Sequence, residues 1–297
     1  ERIQIFLDHF SILMHNHGLS LNMHASDGRG AGYMDYRIAV PHEFGEVFSH
    51  FYVARNGTDN TVRKTLLPSY RTILVFGFGA RALLHTADGS RFELDKCLVL
   101  GPIRRAFDYS LPAQSCILVA NFKGDAFYRF FGTASIGHLP LDPDSLLEEN
   151  CFTALWQQLD KIEDPEDQAD HVLAYCRPYL GPSDSRTGQL AAFKDAAFNP
   201  VKVVAAAEQQ SERSIQLHHK KRLGYSAKEI SRYQRFVKAV GLIQDVIGRG
   251  LKVNWFEIID RCGYYDQSQL IHDFRHYINL SPTRYVKLQQ NICNPGE

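Results

Sequence analysis

Near the C-terminal end of the chain, Gly263 to Phe274 reads GYYDQSQLIHDF, a cluster of short amide, hydroxyl and imidazole side chains opening onto an apolar pattern. The chemistry open to such side chains is hydrogen-bond recognition. A glutamine pairs bidentately with adenine, and a histidine or arginine with guanine, along the edges of a DNA major groove. Side chains reach those edges when a helix carries them there, so the helix must be read first. Asp266 is a good N-cap, and Gln269 three residues later completes a capping-box arrangement. Leu270 and Phe274 stand i, i+4 apart and face a core, which leaves Gln267, Ser268, Ile271 and His272 on other faces. A helix N-terminus of this kind also attracts phosphate. A segment of this type on its own could equally be a capped surface helix.

The same pattern occurs twice. Displaced by 55 residues, SERSIQLHHKKRLGYSA (211–227) lies over DQSQLIHDFRHYINLSP (266–282). Ser211 aligns with Asp266 as an N-cap, Ile215 with Leu270, Leu223 with Ile278 and Ser226 with Ser281. A further helical stretch precedes each copy, VKVVAAAEQ before the first and NWFEIIDRCG before the second. The repeat is helix, tight turn, capped helix, joined by a long helix around 227–246. Two such units on one rigid helix can enter successive major grooves about 34 Å apart, so that one chain reads an asymmetric site.

Charge supports this division. The chain has 297 residues and no net charge, with 33 basic and 33 acidic side chains. From residue 197 onward 15 basic face 9 acidic residues, a net of +6, which leaves 18 and 24, a net of −6, in the first 196. A basic tail on an acidic body suggests that the tail alone meets a polyanion. A composition of 44% hydrophobic and 22% charged residues is that of an ordinary soluble protein with a real core. No apolar run spans a membrane, and the first residues lack the marks of a signal peptide. The six scattered cysteines fit free thiols in a reducing cytoplasm.

The segment WFEIIDRCGYYDQSQLIHDFRHYINLSPTRY (255–285) resembles the C-terminal signature of the AraC/XylS family of bacterial transcription regulators. The likeness runs through Cys262-Gly263-Tyr264, Asp266-Gln267-Ser268, Leu270, Phe274, Arg275 and Ser281-Pro282. The first unit matches at Ser211, Arg213, Lys220, Lys221, Leu223 to Ser226 and Lys228. The resemblance covers residues 198–290 and implies an all-helical domain with two helix-turn-helix units. It also implies DNA contacts at Gln267, Ser268, Ile271, His272 and Arg275 in the second unit. In the first, it implies contacts at Arg213, Gln216 and Leu217, with Lys220 nearer phosphate. Four residues depart from the pattern. Gln209 stands at the first turn glycine and His219 at a core aromatic position, Leu217 replaces a basic side chain, and Asn279 replaces a glycine. Asn279 tolerates the left-handed backbone, and the departures in the first unit leave it to hold mainly phosphate.

Residues 30–125 have a different texture, short β-like runs separated by turns: YRTILVFGFG (70–79), ARALLHT (80–86), FELDKCLVLG (92–101) and SCILVANF (115–122). Asp88-Gly89 signals a hairpin, and the whole suggests a compact antiparallel barrel or sandwich. From 143 the periodicity is helical, with Phe152, Leu155, Leu159 and Ile162 in one stripe that packs on the barrel or on a second subunit. The stretch 181–188 reads as a linker. The expected architecture is α+β: a β-rich, barrel-like sensor domain over 1–142, a helical connector and possible dimerisation region over 143–196, and an AraC-type DNA-binding domain over 197–297.

Enzymatic signatures are weak. His15, His17 and His24 lack the strand-borne carboxylate and third histidine of a barrel metal site, so neither metal nor cofactor is expected. The glycine-rich stretch 28–32 lacks a strand before it and a helix after it. Arg104 and Arg105, beside aromatics in a loop, are candidate ligands for an anionic effector. The expected function is a cytoplasmic, non-enzymatic regulator that binds promoter DNA, senses a small molecule or a partner, and acts as an activator with RNA polymerase. A homodimer through 146–162 is possible. The alternatives are a metal-dependent barrel enzyme with an accessory helical tail, and a regulator controlled by a protein partner.

Overall fold

The computed structural model describes residues 32–85, 89–134, 137, 140–179, 184 and 200–293. His15, His17, His24, Asp88, nearly all of 28–32 and all of 181–188 except Asp184 lie outside these residues.

Nine strands form two antiparallel sheets. The first has the order β1 (Tyr33–Ile38), β2 (Phe48–Asn56), β9 (Ser115–Phe122), β4 (Ile73–Gly79), β7 (Cys97–Leu100). The second has the order β3 (Val62–Leu66), β8 (Phe107–Leu111), β5 (Ala82–His85), β6 (Arg91–Leu94). The period of two sorts the apolar runs between two cores. In ILVFGFG, Ile73 and Val75 face the second sheet, while Leu74 and Phe76 face the opposite way. β9 repeats this with Ile117 and Val119 on one side and Leu118 and Ala120 on the other. The inner strands β4 and β9 are therefore buried on both faces, which explains their nearly unbroken apolar sequence, whereas edge strand β1 has no buried residue. FELDKCLVLG is two strands, because Asp95 and Lys96 turn the chain from the second sheet to the first.

Short helices cover the outer face of the first sheet: α1 (Ala126–Phe131), α2 (Pro143–Leu147), α3 (Cys151–Leu159) and α4 (Pro165–Cys176). Asp142 caps α2, and the Asp144 carboxylate accepts the backbone N–H groups of Phe152 and Thr153 at 2.6 and 2.8 Å, anchoring the start of α3. Phe152, Leu155 and Leu159 are buried against the sheet, and Trp156 donates its indole N–H to the Gly77 carbonyl at 2.8 Å. Each buried apolar side chain here stabilises the contact by about 1.5–3 kcal/mol. Of the two packings open to the stripe, the chain's own sheet covers Phe152, Leu155 and Leu159.

The C-terminal part is helical: α5 (Pro200–Ala207), α6 (Glu212–Leu223), α7 (Ala227–Gly248), α8 (Trp255–Cys262), α9 (Gln267–Ile278) and α10 (Pro282–Cys293). Helices α5–α6 and α8–α9 are the two helix-turn-helix units, and α7 joins them. A full capping box fixes the start of α7, with Ser226 and Glu229 bonding each other's backbone N–H. No helix among the described residues is long and apolar enough to cross a membrane.

Candidate nucleic-acid interface and sensor pocket

In the second unit, Asn254 caps α8 and Gly263 ends it at φ 71°, a left-handed conformation that glycine adopts without strain. Asp266 accepts the Gln269 N–H at 2.8 Å, as its position predicts. The return bond is shifted, since Gln269 accepts from Tyr265 at 3.0 Å rather than from the cap residue itself. Leu270 and Phe274 are fully buried, whereas Gln267, Ser268, His272 and Arg275 are exposed and Ile271 is half-buried. All five candidates therefore lie on a face left open by the core. Asn279 ends α9 at φ 55°, the left-handed geometry for which asparagine is suited. A hollow of about 650 Å³ beside the start of α9 is lined by Trp255, Phe256, Tyr265 and Gln267, and Phe256 and Tyr265 are 85% and 92% exposed.

Helix α7 supports this face through Arg232. Its Nε donates to Asp273 at 2.6 Å, its second arm reaches His272 Nδ1 at 2.8 Å, and its guanidinium lies over the Tyr277 ring. Burial lowers the Arg232 pKa, but the hydrogen bond and charge of Asp273 outweigh it and the net shift is upward. Asp273 is 1% exposed and has Arg235 at 3.6 Å as a second cation. His276 is pushed down to about 4, chiefly by burial and then by Arg232 and Arg105.

The first unit also opens its second helix with a side-chain cap. Ser211 accepts the Ser214 N–H at 3.1 Å, and Ile215, His219 and Leu223 face inward. Arg213, Gln216, Leu217 and Lys220 are exposed. Gln209, in the turn, has φ 52° where glycine would be unstrained. His219 is buried, and Nδ1 lies 2.9 Å from the Tyr225 carbonyl, to which it donates. Burial lowers its pKa despite that bond.

The N-terminal β-rich part contacts both units. Arg104 donates to the Gly224 carbonyl at the end of α6 and pairs with Glu229 at 3.4 Å. Ala106 N–H donates to the Tyr277 carbonyl near the end of α9 at 2.9 Å. Arg222 of α6 bonds the buried Asp125 at 2.7 Å, and Asp125 also holds Arg129 at 3.2 Å. Gly224 has φ 77°, and a Cβ there would stand 2.4 Å from the Ala134 carbonyl oxygen, so both conformation and space require glycine. Arg104 thus ties the β-rich part to the helical part, and Arg105 is exposed near His276.

Between the two sheets and under α7 is a pocket of about 750 Å³. Its walls are apolar, with Ile73, Val75, Leu84, Ile117 and Val119 from the strands, and Ile230, Tyr233, Val237 and Leu242 of α7 form the roof. Arg37, His50, Arg71 and Asn121 supply polar groups from the strand side, and Lys238 and Asp245 of α7 line the pocket from the other side. Arg71 donates to Ser49, which bonds His50 Nδ1 at 3.0 Å. Burial, then Arg37 and Arg71, drives the His50 pKa to about 3, so the ring is neutral. Arg37 and Arg71 have lowered pKa values, first through burial, and among the described residues neither pairs with a carboxylate.

No protein-family model and no curated protein matches the chain. Solved structures similar to it include ToxT from Vibrio cholerae, with a TM-score of 0.39 at 11% identity, covering 80% of this chain and 97% of that one. ToxT bound to an unsaturated fatty acid gives 0.37 at 12% identity, covering 80% and 95%. The AraC-like transcriptional activator CuxR gives 0.23 at 11% identity, covering 82% and 98%.

Sequence reasoning missed Arg37, His50 and Arg71, which strand pairing brings together from β1, β2 and the start of β4. The available signal was Arg71, separated only by Thr72 from the wholly apolar ILVF, a cation at the lip of a buried strand. It also missed Arg232, whose partners are 40 and 41 residues away. Among the described residues, no group of three or more His, Cys, Asp or Glu side chains could hold a metal ion.

Proposed function

We propose that the chain is a DNA-binding transcription regulator of the AraC/XylS kind whose sensor pocket takes a small organic anion. The observation that carries the reading is the pair of capped helices, α6 and α9, each with polar side chains on an open outer face. The helix between them, α7, has 22 residues. At 1.5 Å per residue it is about 33 Å long, close to the roughly 34 Å between successive major grooves on one face of a duplex. Arg213, Gln216, Leu217 and Lys220 would meet DNA in one groove, and Gln267, Ser268, Ile271, His272 and Arg275 in the next. The signature at 255–285 supports the same reading.

The anion would bind at Arg37 and Arg71, two cations facing an apolar chamber with no acidic partner among the described residues. Arg104 and Arg105 are not part of this wall. A carboxylate or sulfonate forms charge-assisted hydrogen bonds with guanidinium groups, and its apolar body would fill the space under α7. Because α7 is both pocket roof and link between the units, occupancy would bear on how they are presented.

Selection of duplexes from a randomised pool by the full chain tests the DNA reading. Enrichment of a site whose base preference is concentrated in the half contacted by α9 is expected, with affinity falling steeply as salt rises. A pool that stays random contradicts it. The pocket is tested with anilinonaphthalene sulfonate, an anionic fluorophore with an apolar body. Saturable binding that weakens at least about tenfold in Arg37→Met/Arg71→Met supports the assignment, since loss of a charge-assisted bond is of that order. Unchanged binding overturns it.

A further inference from the structure

We infer that Arg232 is a positioning residue for base readout, fixing His272 as a hydrogen-bond donor aimed at a guanine edge. This rests on the reading of α9 as a major-groove helix.

A guanidinium has donors and no acceptor. Its arm stands 2.8 Å from His272 Nδ1, so Nδ1 must turn its lone pair toward Arg232. The ring proton then sits on Nε2, and the exposed edge of His272 offers an N–H. Which nitrogen carries a histidine's proton is commonly set by the partner of the other nitrogen. Arg232 cannot readily swing away, because Nε is held by the buried Asp273 at 2.6 Å and the guanidinium rests on the Tyr277 ring at 5.6 Å. Arg235, 3.6 Å from Asp273, backs the carboxylate from a second position on α7. The other ring beside His272 is His276, nearly parallel to it with centroids 6.4 Å apart.

A lone N–H donor discriminates among base edges. Guanine shows two adjacent acceptors, N7 and O6, in the major groove, whereas adenine sets the N6 donor beside its N7. A His272 locked as a donor therefore suits guanine and is opposed by the amino group of adenine. Without Arg232 the ring is free to present either a donor or an acceptor, and that preference is lost.

The experiment uses the full chain and the strongest-binding duplex selected from a randomised pool. Wild type is expected to prefer guanine over adenine about fivefold at one position in the half contacted by α9, the effect of a single hydrogen bond. His272→Ala removes the preference there. Arg232→Lys keeps a charge against Asp273 but cannot reach both partners, and the preference falls below about twofold while binding to unrelated duplex is unchanged. If the single variant is unstable, Arg232→Met/Asp273→Leu removes the cation together with its buried carboxylate, and the same loss is expected. Full guanine preference in the Arg232 variants overturns the inference, as does a His272→Ala protein with unchanged preference at every position. Both results leave the DNA-binding reading intact. A selection that enriches no sequence overturns that reading and this inference with it.

Discussion

The two helix-turn-helix units share a plan and differ in what holds them. The second has Ile258, Cys262, Leu270, Phe274, Tyr277 and Tyr285 packed with Phe236, Val240 and Ile243 of α7 in one continuous core. Among the described residues, the cluster joining α5 and α6 contains Val201, Val204, Ala205 and Ile215, with Ala227 at its edge. The N-terminal part also holds the first unit by polar contacts, Asp125 on Arg222 and Arg104 on the Gly224 carbonyl. The second unit touches the N-terminal part as well, through Leu67 and Tyr70 in its core and the Ala106 N–H on the Tyr277 carbonyl. The difference in core is in keeping with the proposal that α9 reads bases and α6 grips mainly phosphate.

Phe274→Ala should produce the largest loss, about 3–5 kcal/mol, since it removes a fully buried aromatic from the larger core. Urea unfolding followed by tryptophan fluorescence checks it, and a loss below about 1 kcal/mol would put the comparison of cores in doubt. Asp125→Ala should cost less, about 2 kcal/mol, because Arg222 and Arg129 lose their shared buried anion while staying partly hydrated. Its effect should be local: amide exchange should quicken in Glu212–Leu223 and not in Gln267–Ile278. Equal quickening in both helices would mean that the units are held alike.

Gln209→Gly should raise stability by about 1 kcal/mol by relieving a left-handed glutamine in the first turn. The smallest effect is a pH dependence of the first unit. His219 is neutral in the fold with a pKa below its ordinary value, so its contribution is complete above about 6.5. As pH falls below that value the unfolded chain takes up the proton first and stability declines. His219→Phe should flatten that slope in α6 and leave the acid response of α9, where His276 titrates near 4, unchanged.

Much of the second unit was legible from local rules. The spacing of Leu270 and Phe274, the Asp266 cap, Gly263 and Asn279 each behave as their chemistry predicts, because their partners lie within one or two turns. The hairpin between ARALLHT and the next run was also readable, with Ala82 opposite Leu94 and His85 opposite Arg91. Features that depend on distant pairing were not. FELDKCLVLG is continuous in hydropathy yet serves two sheets, and the local pattern carries no sign of that division. The connector stripe was recognisable as apolar without showing which surface would cover it. Arg104 looked like a free cation beside aromatics until the end of α6, 120 residues away, supplied its partner. Arg37 and Arg71 become a site only when β1 and the start of β4 are brought to the same opening.

The most direct test of the assignment compares Gln267→Ala with Gln216→Ala on the duplex selected by the wild-type chain. Gln267→Ala should weaken binding by about 5- to 100-fold and relax base preference in the half contacted by α9, the expected effect of losing a base-edge contact. Gln216→Ala should change affinity less than about threefold and leave base preference intact, as expected for an α6 that grips mainly phosphate. The reverse order, or two variants that bind as wild type does, would contradict the account.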